Sequence, residues 1–190
     1  MMLTALRSAT REHHLRVERA VDLPARLRSL TNYRELLERF LGYYGPLEQR
    51  LLAVASTQTL PIELQPRLKT ALLQQDLLVL GRTAEQIGAL PVCRDLPQVA
   101  DVAGAMGCLY VLEGSTLGGQ FIRKAVDRQL GLGPDNGCKF FAGYGADTGA
   151  QWSAFCSSLA DYGDRHPGAE GQVIAAAAET FARLESWIEG

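Results

Sequence analysis

Near the start of the chain the apolar residues Leu3, Leu6, Val17 and Val21 fall on one side of a helix turning about 100° per residue. The pattern predicts a helix from Leu3 to Val21, stopped before Pro24. A second helix is predicted from Thr31-Asn32, a capping pair ahead of Tyr33, to Ala55, with a bend in the Gly42 to Pro46 segment. Pro61 reads as the opening of a third helix that ends near Gly81, followed by a short one from Thr83 to Ile87. A long helical segment then runs from Pro97 to Leu130, and a Gly-rich loop from Gly131 to Gly149. Two last helices cover Ala150 to Tyr162 and Ala169 to Ile188. No stretch alternates polar and apolar residues between hairpin turn signals, and no repeat, low-complexity tract or linker interrupts the series. The expected architecture is all-α.

Composition agrees. Leu and Ala, strong helix formers, number 53 against 15 for the strand-favouring Val and Ile. The length of 190 residues suits one domain over residues 1–190. A net charge of −2 provides no broad basic field, which excludes nucleic acid as the expected partner. The most apolar long stretch, Val99 to Leu112, is short for a bilayer span and carries Asp101, and the N-terminal residues lack the apolar core of a signal peptide. A soluble cytoplasmic protein without a membrane partner is expected. Cys93, Cys108, Cys138 and Cys156 form no Cys-x-x-Cys pair, so reduced and mostly buried thiols are expected.

Two segments break helix rules. Gly104, Gly107, Gly114, Gly118 and Gly119 interrupt the long Pro97–Leu130 segment, and each interior glycine costs roughly 0.5–1 kcal/mol relative to Ala. They read as a turn between two helices, as small residues that admit a neighbouring helix, or as backbone meant to approach something flat and bulky. A phosphate cradle fits poorly, because Gly-Lys-Ser/Thr and a preceding strand are both missing.

The second segment is Thr10 to Glu18, which holds His13 and His14. They flank the apolar stripe on opposite sides, His13 nearer its centre, where a histidine is ordinarily a core residue. Glu18 lies four residues after His14 on the same face, placed to accept a hydrogen bond from the second ring N–H of a ligating imidazole. Val17, four after His13, does nothing of the kind. Arg7, two turns before His14, suits an acidic group on whatever His14 binds. Neither Glu-x-x-His nor His-Glu-x-x-His occurs, and His166 precedes Pro167 in a loop. A metal held by a single histidine must draw its other ligands from elsewhere, as haem iron does from the porphyrin.

Leu6 through His14 to Glu18 resembles the first-helix motif of the soluble bacterial heme oxygenases, and Leu109 to Gln120 (Leu-Tyr-Val-Leu-Glu-Gly-Ser-Thr-Leu-Gly-Gly-Gln) resembles their distal-helix signature. Lys139-Phe140-Phe141, Trp152 to Phe155, and Phe181 are similar to later landmarks, so the resemblance covers essentially the whole chain. It implies a heme-oxygenase-like helical fold with haem between the first helix and a kinked Gly-rich distal helix. It implies that His14 is the metal ligand, with Glu18 as its partner, and that Arg7, Gly114, Gly118, Ile122 and Phe181 also bind haem. The catalytic wall would comprise Gly114, Ser115 and Gly118. The implied reaction is O2- and electron-dependent cleavage of haem, both substrate and cofactor, to biliverdin, ferrous iron and CO. The implied partners are an external electron donor (a ferredoxin, a flavoprotein reductase or a small reductant) and a biliverdin-accepting photoreceptor.

Two positions depart from the family pattern. Ser115 stands where relatives carry an Asp that organises proton-delivering waters, and Ser153 and Ser157 lie near where relatives place basic residues for the haem propionates. Arg123 or Lys124 are the substitutes on offer, with the haem rotated in its seat. Three alternatives stay open: a non-catalytic haem carrier or sensor, a thiamin-degrading enzyme of the same architecture using Cys108 or Cys138, and a helical interaction module in which His14 is core.

Overall fold

A computed structural model describes residues 2–190. The first helix, α1 (Met2–Val21), buries Leu6 and Thr10, and the Thr10 hydroxyl donates to the Leu6 carbonyl at 2.7 Å, so a polar side chain sits satisfied in the packed face. A short α2 (Leu23–Arg26) takes Pro24 in its first turn. The next helix, α3 (Leu30–Thr57), begins earlier than the Thr31-Asn32 pair suggests, because Ser29 is the cap and accepts the Asn32 N–H at 3.1 Å.

The Gly42 to Pro46 segment does not interrupt α3. Pro46 has no N–H to offer the Gly42 carbonyl, and the Cys93 N–H takes its place at 2.8 Å from a distant loop. Pro61 does not open a helix. Residues 58–69 are irregular except for a 3-10 turn at Gln65–Arg67, and α4 spans Thr70–Val79. Its start is set from outside: the Glu48 carboxylate of α3 accepts the N–H groups of Lys69 and Thr70 at 2.5 and 3.2 Å. A capping box of Thr83 and Gln86 opens α5 (Ala84–Gly88).

The long α6 (Val102–Leu130) starts after Pro97, where Asp101 accepts the Gly104 N–H at 2.8 Å, and ends at Gly131, whose φ of 67° suits glycine. It is one unbroken helix through all five glycines, so the reading of a turn between two helices fails. Burial on several sides outweighs the low helix propensity of those residues. The expected Gly-rich loop contains a short α7 (Lys139–Ala142), because the buried Asp76 carboxylate accepts the N–H groups of Lys139 and Phe140, both at 2.8 Å. The chain ends with α8 (Thr148–Arg165) and α9 (Glu170–Glu189).

Among the described residues there is no strand, and no helix is long and apolar enough to cross a membrane. The four cysteines are free, three of them buried and Cys156 partly so. The last helix, α9, packs along both α1 and α6. Gly107 is what admits it to α6: a Cβ there would stand 2.7 Å from Ala176 Cβ and 2.9 Å from the Ala177 nitrogen. Because α1 and α6 lie along α9 rather than along each other, a gap remains between them.

Candidate functional site

That gap is a cavity of about 610 Å³, within the size range of cofactor pockets. One wall is α1, with Arg7, His14, Val17 and Glu18; another is α6, with Gly114, Ser115, Gly118 and Ile122. Phe181 and Leu184 of α9 line it as well, while Phe40 and Tyr44 of α3 and Phe140 and Phe141 of α7 extend its apolar surface. All seven residues expected at the site from sequence therefore meet in one space, together with Ser115.

The α1 wall separates the two histidines. The His14 side chain is 55% exposed, which is inconsistent with a core residue, and its ring stands edge-on to Phe181 with centroids 5.8 Å apart. Glu18 Oε1 lies 3.7 Å from His14 Nδ1, leaving Nε2 as the nitrogen for a ligand. His13 turns away from the cavity. Its Nδ1 is 2.6 Å from Arg16, whose Nε donates to Glu185 of α9 at 3.0 Å.

On α6 the glycines divide by purpose. A Cβ on Gly118 would meet nothing within 4 Å, so bare backbone faces open space there. At Gly114 the Trp152 indole lies 3.6 Å from the Cβ position, and at Gly119 the Phe141 carbonyl oxygen lies at 2.9 Å. The Ser115 hydroxyl donates to the Leu112 carbonyl at 2.7 Å and accepts from the Tyr44 hydroxyl at 3.1 Å. Burial pushes the Tyr44 phenol far above its usual range, so it stays a donor.

Behind this wall is a buried polar cluster that sequence reading did not find. The Glu113 carboxylate pairs with Arg67 and accepts the Tyr144 hydroxyl at 2.7 Å. Lys69 Nζ donates to the same hydroxyl at 2.6 Å and to the Arg67 carbonyl at 2.9 Å, with a Glu113 oxygen at 3.6 Å. Burial lowers the Lys69 pKa, opposed by Glu113 and Glu48. Lys69 lines the cavity, whereas Arg123 and Lys124 do not. At about 100° per residue those two point well away from the Gly118 face, while Ile122 stays close to it.

A family model described as heme oxygenase matches the chain over residues 1–190. The chain belongs to the heme oxygenase family. Membership implies haem binding and the chemistry of an oxidoreductase. A solved structure of heme oxygenase from Leptospira interrogans is similar to this chain, with a TM-score of 0.80 at 19% sequence identity, over 99% of this chain and 98% of that one. At that identity the likeness carries the heme oxygenase fold alone. A search of curated protein sequences finds no match.

The cavity suits haem on its own terms. It sets an imidazole and a stretch of exposed backbone around one apolar space, with the Arg7 guanidinium available to a carboxylate. The thiamin-degrading reading finds no support here. Cys108 and Cys138 are both buried, burial pushes each thiol up to about 11, and neither lines the cavity.

Proposed function

We propose that this protein cleaves haem to biliverdin, ferrous iron and CO, using O2 and electrons from an external donor. The observation that carries the reading is that His14 and Gly118, from different helices, line the same largely apolar cavity. Bound haem supplies the iron at which O2 is activated. The protein binds and orients it. His14 Nε2 would hold the iron, with Glu18 steadying Nδ1. Arg7 would pair with a haem carboxylate, and Ile122 and Phe181 would offer the ring apolar surface. Gly114 and Gly118 bring α6 backbone to the cavity wall, where it would approach the ring. Ser115, held by Tyr44, sets a hydroxyl at that wall, and Phe140, Trp152 and Leu184 help keep water out. The donor is of the ferredoxin, flavoprotein-reductase or small-reductant kind, in a cytoplasmic setting where released biliverdin is available to a bilin-binding photoreceptor.

The test is spectroscopic. One equivalent of hemin is expected to give a sharpened Soret band, which decays into a biliverdin spectrum when reductant is added in air. His14→Ala should lose the axial ligand and His13→Ala should keep it; the reverse result overturns the assignment. A second reading, a haem carrier or sensor, is favoured by Ser115, whose hydroxyl proton is already given to the Leu112 carbonyl. A Soret band that persists under reductant and air would select it.

A further inference from the structure

Cleaving haem with O2 and electrons takes up protons, and Ser115 is poorly placed to give one. Lys69 is the other protic group that reaches the same cavity from the buried cluster. On the haem-cleavage reading above, we propose that Lys69 is the proton-donating residue of the cavity wall and that Tyr144 recharges it.

The geometry has three parts. First, two Lys69 protons are directed to the Arg67 carbonyl and the Tyr144 oxygen, with Glu113 Oε1 3.6 Å from the amine, and Lys69 itself lines the cavity. Second, Tyr144 is partly exposed while Lys69 is 3% exposed, so Tyr144 connects the buried amine with solvent. Third, the buried atoms Arg67 Nε and Thr70 Oγ1 have no hydrogen-bond partner among the described residues, and such atoms in a polar interior bind water. The groups facing Lys69 are Glu113 from α6, Arg67 from the 3-10 turn, Tyr144 from the segment after α7, and Glu48 from α3, whose carboxylate holds the Lys69 backbone N–H. Two cations and two carboxylates balance while the amine is charged, so giving up its proton leaves one uncompensated carboxylate, which favours prompt reprotonation. Burial already weakens its hold on the proton.

The transfer balances. The Nζ–H bond breaks as an acceptor in the cavity takes the proton. As the Tyr144 hydroxyl turns from Glu113 and gives its proton to Nζ, solvent protonates the Tyr144 oxygen in the same step, because burial holds that phenol far above its usual range and disfavours a tyrosinate. One proton moves from solvent to the cavity, and no electron moves.

Three variants test this in the hemin complex, with two readouts. One is the pH midpoint of the alkaline spectral transition of the ferric complex, in which negative charge appears on the open side of the haem. The other is the rate of haem loss under reductant in H2O and in D2O. Lys69→Met is expected to raise the midpoint by about one pH unit, because a cation is lost, and to slow haem loss by about a hundredfold, the low end for a lost proton donor. Lys69→Arg should restore the midpoint and not the rate, since arginine keeps the charge and does not release a proton. Tyr144→Phe should leave the midpoint unchanged while slowing haem loss and changing its solvent isotope effect.

A Lys69→Met midpoint and rate equal to wild type overturn the proposal, as does a rate fully restored by Lys69→Arg. If Lys69→Met does not fold, a wild-type rate and isotope effect in Tyr144→Phe overturn it. Wild-type protein that gives no Soret shift overturns the haem reading and this proposal together. Wild-type protein that turns over, with variants unchanged, overturns this proposal alone.

Discussion

At Gly118 one missing methyl group separates a helix that merely folds from a helix that leaves room. Open space surrounds its Cβ position, and the residue lines the cavity. Gly118→Ala should therefore fold at least as well as wild type, since Ala favours a helix by about 1 kcal/mol over Gly. Hemin affinity should fall roughly tenfold, the effect of pushing a methyl into a filled site. Thermal melting and a Soret titration measure the two separately, and an unchanged affinity would take Gly118 out of the site. The histidines teach the same lesson about single residues. Apolar periodicity favours His13 as the inward one, whereas the carboxylate four residues on favours His14. The chain resolves this by tying His13 to Arg16 and leaving His14 at the cavity.

At the scale of elements, α6 serves two neighbours with the same residue type. Gly107 lets α9 approach so closely that a Cβ would stand 2.7 Å from Ala176 Cβ and beside backbone atoms that cannot yield. Gly107→Ala should destabilise the fold by about 1–3 kcal/mol, as overpacking does, despite the better helix propensity of Ala. Urea denaturation gives the number, and a variant as stable as wild type would refute the close contact. The presence of α6 and its glycine pattern are legible in the sequence, but the division of labour among the glycines is not, because it depends on what lies opposite each one. The starts of α4 and α7 were illegible for a similar reason. Their capping carboxylates, Glu48 and Asp76, come from other helices, while Pro61 offers a local start signal that nothing supports.

Across the whole molecule, buried carboxylates couple stability to pH. Burial raises the Asp76 carboxyl above its ordinary range, against the N–H groups of Phe140 and Lys139 that lower it. Just above about pH 4, then, the folded protein keeps a proton that the unfolded chain has lost. The stability this contributes is full below that window and is lost as pH rises through the folded pKa. The stability gap between wild type and Asp76→Asn should shrink from pH 4 towards pH 7 in urea melts. A gap that widens with pH would show that the carboxylate form is the one the fold prefers. Because Asp76 ties α4 to α7, the variant should also loosen Phe140 and Phe141 at the cavity.

The helical class, and the residues expected to face one space from α1 and α6, were legible along the chain. Leu and Ala dominate over β-branched residues, Glu18 sits one turn after His14, and glycines cluster around Ser115. Each of these is a property of one helix, where spacing along the chain is spacing in space. Helix packing alone brings Tyr44 to Ser115, Arg67 to Glu113, and Lys69 to the cavity that His14 lines. Arg67 and Glu113 are 46 residues apart in the chain. Whether such groups meet depends on how helices pack, and no local pattern of residues encodes the direction from which a partner arrives.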